Sequence, residues 1–295
     1  MIAKFITIAA YSLLIITIGI IGHKKTKSFN DFLLGGGKIG PWMTAFSYGT
    51  AYFSAVLFIG FAGKLGWGFG LSSLWIAVGN SFIGVLGVWL LLGNNIKKMA
   101  LEYKVHTMPE FLEVRYDSSF LKLYTSIAIF IFFIPYTAAV FMGLSYLFET
   151  NFHISYTYAL LFMGCLTGIY LVLGGYKSMA MLDVVFGIIM IVGVFILLHS
   201  TINKAGGMDN IILSLKTINP KLVSPVGPPG IWALLSLICL TSIAPFAMPQ
   251  LIHKFYSIKD TRSVKIGMVA STIFAIIVTG TAYFTGALTR IFIHP

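Results

Sequence analysis

Eight long apolar segments, separated by short polar ones, follow one another along the 295-residue chain. Each is close to the roughly 20 residues that an α-helix needs to cross a bilayer. The pattern therefore predicts an all-α integral membrane protein with about eight transmembrane helices. The predicted spans are residues 3–22, 41–63, 69–93, 120–148, 155–173, 181–199, 231–253 and 267–292.

Composition agrees with one multi-pass membrane domain covering residues 1–295. The chain is 58% hydrophobic and only 10% charged, which excludes an ordinary soluble domain. Its net charge of +11 raises the possibility of nucleic-acid binding. However, the basic residues cluster between apolar segments, where membrane orientation explains them, so no nucleic-acid partner is expected. Cys165 and Cys239 lie inside apolar segments, and we interpret them as buried packing residues rather than a disulfide framework.

The distribution of basic residues also predicts an orientation. Fourteen of the 20 lysines and arginines fall in residues 23–40, 94–122, 174–182 and 254–266. The positive-inside rule assigns these segments to the cytoplasmic side of the cell membrane and the N-terminus to the outside. Short additional helices are predicted in residues 107–117 and near residues 208–215.

The second apolar segment, residues 41–63, has an unusual middle. Gly49, Thr50 and Tyr52 stand where a lipid-facing helix would carry only apolar side chains. Such residues at mid-membrane depth are typical of a broken helix whose free carbonyls face a cavity or an ion. The main-chain carbonyls of Thr50 and Phe53 are the candidate cation ligands. The side chains of Ser47, Tyr52 and Ser54 are expected to face substrate or ion, with small-residue packing as the alternative for the two serines.

The seventh segment has a second predicted break. Pro245 and Pro249 each remove a backbone donor close to Thr241 and Ser242. The second and seventh spans are five apart, so they run in opposite directions, as an inverted repeat of five helices requires. A binding site is then expected where the two breaks meet, with Pro245 and Phe246 contacting substrate. Two kinked packing helices are the alternative interpretation.

Three further side chains are candidates for the same site. Asp183 is a carboxylate at the start of the sixth span, where it can belong to a cation pathway. Its alternative role is stabilisation by the helix dipole in a first helical turn. Tyr136 and Asn80 fall within spans and can face the cavity, although Asn80 is also a natural interhelical hydrogen-bond partner. One clearly placed intramembrane carboxylate does not make an enzyme active site, so transport rather than catalysis is predicted.

Four motifs show that the chain resembles the sodium/solute symporter family, of the sodium/proline and sodium/pantothenate kind. They are FLLGGGKIGPWMTAFSYGTAYFSAVLFIG (Phe32–Gly60), TMPEFLEVRY (Thr107–Tyr116), YLVLGGYKSMAMLDVVFG (Tyr170–Gly187) and PQLIHKFYSIKDTRSVKIG (Pro249–Gly267). The tract Thr217–Gly230 and the ending Thr285–Pro295 look most like the pantothenate branch. In the proline branch an acidic residue stands where Tyr52 is and an arginine where Gly37 is, which argues against proline as substrate.

The resemblance implies a LeuT-type inverted-repeat fold and Na⁺-coupled symport of a small organic solute, with a pantothenate-like carboxylate favoured. It implies that Na⁺ is the coupling ion, that Thr50, Phe53 and Asp183 lie on its path, and that Tyr136 lies near the substrate cavity. It also implies an incomplete, C-terminally truncated member: an extra helix (3–22), a first repeat (41–199) and the first two helices of a second (231–292). A symporter-like sensor that binds without transporting is the alternative. Oligomeric state is left open.

Overall fold

The computed structural model describes residues 2–54 and 56–293, which are almost entirely helical. The α-helices are α1 (Ile2–Lys25), α2 (Phe29–Leu34), α3 (Pro41–Tyr52), α4 (Gly63–Phe69), α5 (Leu74–Gly79), α6 (Asn94–Tyr103), α7 (Met108–Tyr116), α8 (Ser119–Phe152), α9 (Tyr156–Lys204), α10 (Met208–Ile218), α11 (Ile231–Ile243), α12 (Pro249–Ser257) and α13 (Thr261–Phe292). π-Helical segments cover Val56–Ala62, Asn80–Gly87 and Trp89–Gly93. 3₁₀ turns cover Gly35–Gly37, Gly70–Ser73, Pro220–Val223 and Ala244–Phe246.

Six helical segments in the described residues are long and apolar enough to cross a membrane, against the eight spans predicted. They are Lys4–Lys25, Gly60–Tyr103, Ser119–Phe152, Tyr156–Lys204, Ile231–Ser257 and Thr261–Phe292. Two structural features account for the difference. The second predicted span is broken, and its first half, α3, has 12 residues and is too short to count. The fifth and sixth predicted spans are joined within the 49-residue α9.

Helix α9 reverses direction at Gly175. This residue has φ 54° and ψ −151°, outside the helical region. On either side of it, Leu166 and Leu182 belong to one buried cluster with Ile15 of α1. In a straight helix these two leucines would be about 24 Å apart, so the two halves of α9 must fold back on each other. A side chain at Gly175 would also collide with Phe32, which explains the glycine.

The loops that were assigned to one side of the membrane do meet in space. Ile39 pairs with Ile258 through a parallel bridge, and the Lys259 N–H donates to the Ile39 carbonyl at 2.9 Å. Ser257 donates to the Tyr176 hydroxyl at 2.7 Å, just after the turn in α9. We call this end of the bundle the Ile39 end. Because α3 starts here and α12 ends here, the two interrupted helices run in opposite directions.

Helix α13 lies in the centre of the bundle and is packed through small residues. A Cβ on Gly66 would lie 2.3 Å from the main chain of Gly286, so the two backbones touch. A Cβ on Gly49 would lie 2.4 Å from the Phe274 ring. Such close approach is the usual way in which membrane helices associate.

Aromatic side chains fill part of the remaining core, and the two predicted short helices are present. The rings of Tyr48, Trp89 and Phe255 pack against one another in tilted and edge-to-face contacts, with centroids 5.0 to 6.1 Å apart. The predicted short helices form as α7 and α10. Thr107 caps α7 by accepting the Glu110 N–H at 3.4 Å.

Two expectations about surface and interior were wrong. Cys165 and Cys239 are exposed on the outside of the bundle rather than buried. Lys97 and Lys254, which were counted among the basic loop residues, are 2% and 3% exposed inside the protein. Twelve of the fourteen basic residues on that side then remain as orientation signals, so the asymmetry persists.

Candidate functional site

The second span is interrupted as predicted. The last backbone hydrogen bond of α3 runs from the Phe53 N–H to the Gly49 carbonyl, at 2.8 Å. Phe53 has φ −96° and ψ 58°, so helical geometry stops there, and a π-helical segment resumes at Val56. The carbonyls from Thr50 onward therefore lie beyond the hydrogen-bonded ladder of α3. Such carbonyls at a helix end are available to a cation.

The seventh span is interrupted as well, between Ile243 and Pro249. Pro245 has no N–H, and in a regular helix that N–H would bond to the Thr241 carbonyl four residues earlier. In the structure the hydroxyl of Tyr52 donates to the Thr241 carbonyl instead, at 2.6 Å. The side chain next to the first break therefore satisfies a main-chain oxygen freed by the second break.

A cavity of about 240 Å³ opens where the two breaks meet. Its wall consists of Tyr52, Phe53, Ser54, Leu57, Phe61, Asn80, Tyr136, Leu240, Thr241, Ala244, Met248 and Tyr283. We call it the central cavity. Four of the predicted site residues line it, namely Tyr52, Phe53, Ser54 and Tyr136. The wall is aromatic and hydroxyl-bearing, and none of the described residues that line it is charged.

Asn80 shows both roles that were considered for it. It lines the central cavity, and its Oδ1 accepts a hydrogen bond from Ser242 Oγ at 3.2 Å. The Tyr283 hydroxyl is buried beside it, and Tyr283 also lines the central cavity.

A second polar group lies on α3 towards the Ile39 end and includes Asp183. Ser47 Oγ donates to Asp183 Oδ2 at 2.5 Å. Thr50 Oγ1 lies 3.1 Å from Asp183 Oδ1 and 2.9 Å from the Phe46 carbonyl, so its proton is shared between two acceptors. We call Ser47, Thr50, Asp183 and Lys254 the carboxylate cluster. Asp183 is eight residues past the turn at Gly175, about 12 Å along the helix. The helix dipole acts mainly over the first turn. Asp183 lies beyond that turn, so stabilisation by the dipole does not account for its position.

Lys254 completes this cluster, although it is not among the site residues predicted from the sequence. Its Nζ donates to Ser47 Oγ at 2.6 Å and lies 3.7 Å from Asp183 Oδ2. It also lies 5.1 Å from the centre of the Tyr176 ring. A signal was present, because Leu251, Lys254 and Phe255 fall at the 3.6-residue spacing of one helix face. All three are buried.

The structure does not bring the remaining predicted residues to the central cavity. Ser47 belongs to the carboxylate cluster. Pro245 is buried and is absent from the cavity wall described above. The Phe246 ring packs close to Gly87 on the π-helical segment. Pro245 affects the cavity by leaving the Thr241 carbonyl free for Tyr52. The Phe246 side chain packs against the π-helical segment instead.

Comparison with known proteins identifies the chain. The model of the sodium:solute symporter family matches residues 32–294. The chain belongs to this family. The family members that the chain resembles are transporters rather than enzymes.

Among similar proteins, a sodium/pantothenate symporter of Escherichia coli K12 is 29% identical over 96% of this chain and 59% of its own length. A sodium/pantothenate symporter of Haemophilus influenzae is 31% identical, covering 90% of this chain and 56% of its own. The osmoregulated proline transporter OpuE of Bacillus subtilis 168 is 29% identical, covering 88% and 53%. The chain thus spans a little over half the length of these relatives.

The structure of a Na⁺-coupled sialic acid symporter, in a substrate-bound outward-open state, has the same fold. It superimposes with a TM-score of 0.76 over 98% of this chain and 64% of that chain, at 16% identity. The predicted LeuT-type fold class is confirmed.

The oxygen donors in and near the carboxylate cluster fit a small hard cation. Carboxylate, hydroxyl and main-chain carbonyl oxygens are the ligands that such cations prefer. Thr50 contributes to both features, since its hydroxyl contacts Asp183 and its carbonyl lies at the break. No group of three or more His, Cys, Asp or Glu residues gathers in residues 2–54 and 56–293 to hold a transition metal.

Proposed function

We propose that this chain forms the ion- and solute-binding part of a Na⁺-coupled symporter for a small organic solute. The observation that carries this proposal is the meeting of two interrupted helices through the Tyr52–Thr241 hydrogen bond. Interrupted helices that run in opposite directions and meet at mid-membrane depth are the arrangement that secondary transporters use to bind substrate and ion together. Membership of the sodium:solute symporter family supports the same function.

In this proposal the central cavity receives the solute. Tyr52, Ser54 and Tyr136 contact it with hydroxyl groups and aromatic rings. A pantothenate-like carboxylate is the favoured substrate class, because two of the similar proteins are sodium/pantothenate symporters. Within residues 2–54 and 56–293, the side chains that line the cavity are uncharged. The positive end of α12 supplies attraction for the carboxylate, since Met248 directly before this helix is part of the cavity wall.

The cation is assigned to the oxygens beside the break. The main-chain carbonyls of Thr50 and Phe53 and the carboxylate of Asp183 supply its ligands. One Na⁺ crossing a potential of ~100 mV releases ~2.3 kcal/mol, and a tenfold concentration gradient adds ~1.4 kcal/mol. That energy suffices to concentrate a solute several hundredfold at one-to-one coupling.

We further propose that the protein lies in the cytoplasmic membrane with its N-terminus outside. The division into an extra helix (3–22), a first repeat (41–199) and the beginning of a second (231–292) belongs to the same proposal. The opposite directions of α3 and α12 support this division.

The test is uptake of labelled pantothenate and labelled proline into proteoliposomes that contain the protein expressed from its complete reading frame. Pantothenate uptake should require an inward Na⁺ gradient, and proline should not compete with it. Sodium-independent flux would contradict the coupling. Saturable solute binding without any flux would favour a sensor instead.

A further inference from the structure

Lys254 contacts the Asp183 carboxylate, which is also one of the proposed ligands of the cation. Lys254 is 3% exposed, and its ammonium lies 2.6 Å from Ser47 Oγ, 3.7 Å from Asp183 Oδ2 and 5.1 Å from the centre of the Tyr176 ring. Carboxylate, hydroxyl and an aromatic face are all attractive to a cation. The ammonium therefore lies where the structure already attracts positive charge.

Ser47 lies between the two charged groups. Its hydroxyl proton points to Asp183, and its oxygen accepts from Lys254. A metal ion bound to the Asp183 carboxylate would be close to the Lys254 ammonium, which lies 3.7 Å from Asp183 Oδ2.

Charge makes this proximity unfavourable. Asp183 and Lys254 neutralise each other inside the protein, where an unpaired charge is very unfavourable. A second cation added beside Lys254 would leave a net positive charge in a poorly solvated site. Removal of Lys254 from Asp183 restores neutrality when the cation arrives.

We propose that Lys254 is a built-in competitor of the coupling cation and stays in contact with Asp183 and Ser47 until the cation displaces it. The inference rests on the proposed function. It also gives α12 a role in coupling. This helix contains Lys254 and begins directly after Met248, which lines the central cavity. When Lys254 binds Ser47, α12 is tied to α3, and arrival of the cation releases this tie. Cation binding is thereby linked to the wall of the solute cavity.

The first test is equilibrium binding of ²²Na⁺ to the purified full-length protein in lipid nanodiscs, without any transport. Lys254→Met removes the charge and keeps the side-chain length, so it should bind Na⁺ at least tenfold more tightly. Lys254→Arg keeps the charge and should stay within about threefold of the unmodified protein. Lys97→Met is the matched control, because Lys97 is also buried and contacts α12 through the Tyr256 carbonyl at 3.4 Å. It should leave Na⁺ affinity unchanged.

A second test restores the charge chemically. In a background from which Cys165, Cys239 and any other cysteine of the full-length protein have been removed, Lys254→Cys is treated with 2-aminoethyl methanethiosulfonate. The thiolate attacks the reagent's sulfenyl sulfur, methanesulfinate leaves, and the resulting disulfide carries an ammonium group. Na⁺ affinity should fall back at least tenfold, whereas methyl methanethiosulfonate, which adds no charge, should not lower it. This variant also serves if Lys254→Met does not fold.

The outcomes separate the two proposals. If the unmodified protein binds Na⁺ and neutral residues at position 254 bind it no more tightly, Lys254 is a structural partner of Asp183 and the inference is overturned. If neither the unmodified protein nor the variants bind Na⁺ saturably, the proposed cation site itself is wrong.

Discussion

The carboxylate cluster and the central cavity lie on either side of the last turn of α3, yet they are built in opposite ways. The cluster is filled by its own side chains, with Lys254 and Ser47 both in contact with Asp183. The central cavity has an uncharged wall and encloses about 240 Å³ of open space. Thr50 contributes to the first, and Ser54, four residues later and beyond the end of α3, lines the second.

This difference follows from the cost of burying charge. A carboxylate inside a bundle needs close partners, so its surroundings become compact and specific for positive charge. Hydroxyl groups and aromatic rings cost much less to bury, so they can surround an open space that takes a solute. Changes in the cluster should therefore alter cation binding first, and changes at the cavity should alter solute binding first.

The largest effect is expected for Asp183→Asn. Removing one member of a buried ion pair leaves the other uncompensated, which costs ~3–5 kcal/mol. We expect a lower melting temperature and a decrease of Na⁺ affinity by a factor of about 100, measured by ²²Na⁺ binding. Asp117→Asn, at an exposed helix end, is the control. Unchanged Na⁺ affinity would show that Asp183 has only a structural role.

The next effect concerns the second break. Pro245→Ala restores an N–H that can bond to the Thr241 carbonyl and so competes with the Tyr52 hydroxyl. The helix should straighten and solute affinity should fall at least tenfold, while Na⁺ affinity changes less than threefold. Binding of labelled solute and of ²²Na⁺ to the same preparation checks both. A larger loss for Na⁺ than for solute would mean that the second break serves the cation.

Tyr52→Phe tests the contact between the breaks from the other side. It leaves the Thr241 carbonyl without its donor, at a cost of about 1–3 kcal/mol. Solute affinity should fall by about tenfold and Na⁺ affinity should stay within twofold. Tyr158→Phe changes an exposed tyrosine on α9 and should leave both affinities unchanged. If Tyr52→Phe and the unmodified protein bind solute equally well, the Tyr52 hydroxyl does not contribute to the solute site.

The smallest effect is expected for Thr50→Ala. The proposed ligand at this position is the main-chain carbonyl, which the substitution keeps. The hydroxyl contact with Asp183 is lost, and a typical hydrogen bond contributes only ~0.5–1.5 kcal/mol. Na⁺ affinity should therefore fall by roughly two- to tenfold. Complete loss of Na⁺ binding in a folded protein would show that the hydroxyl is a direct ligand.

Much of the architecture was predictable because it depends on residues that are neighbours in sequence. The break at Phe53 follows from Gly49, Thr50 and Tyr52, and the break after Ile243 follows from two prolines. The number of spans was less predictable. The turn inside α9 depends on the positive φ of Gly175, which removes the polar loop expected between two spans.

What the sequence by itself determined is where helices form, where they are interrupted and that they lie in a membrane, since local hydrogen bonding and hydrophobicity decide these. Only the tertiary structure decided which polar groups meet. Lys254 reaches Asp183 from 71 residues away, and Tyr52 reaches the Thr241 carbonyl across 189. Such contacts form because a buried charge or an unbonded carbonyl must find a partner within the folded bundle, and helix packing, rather than local pattern, determines which partner is near.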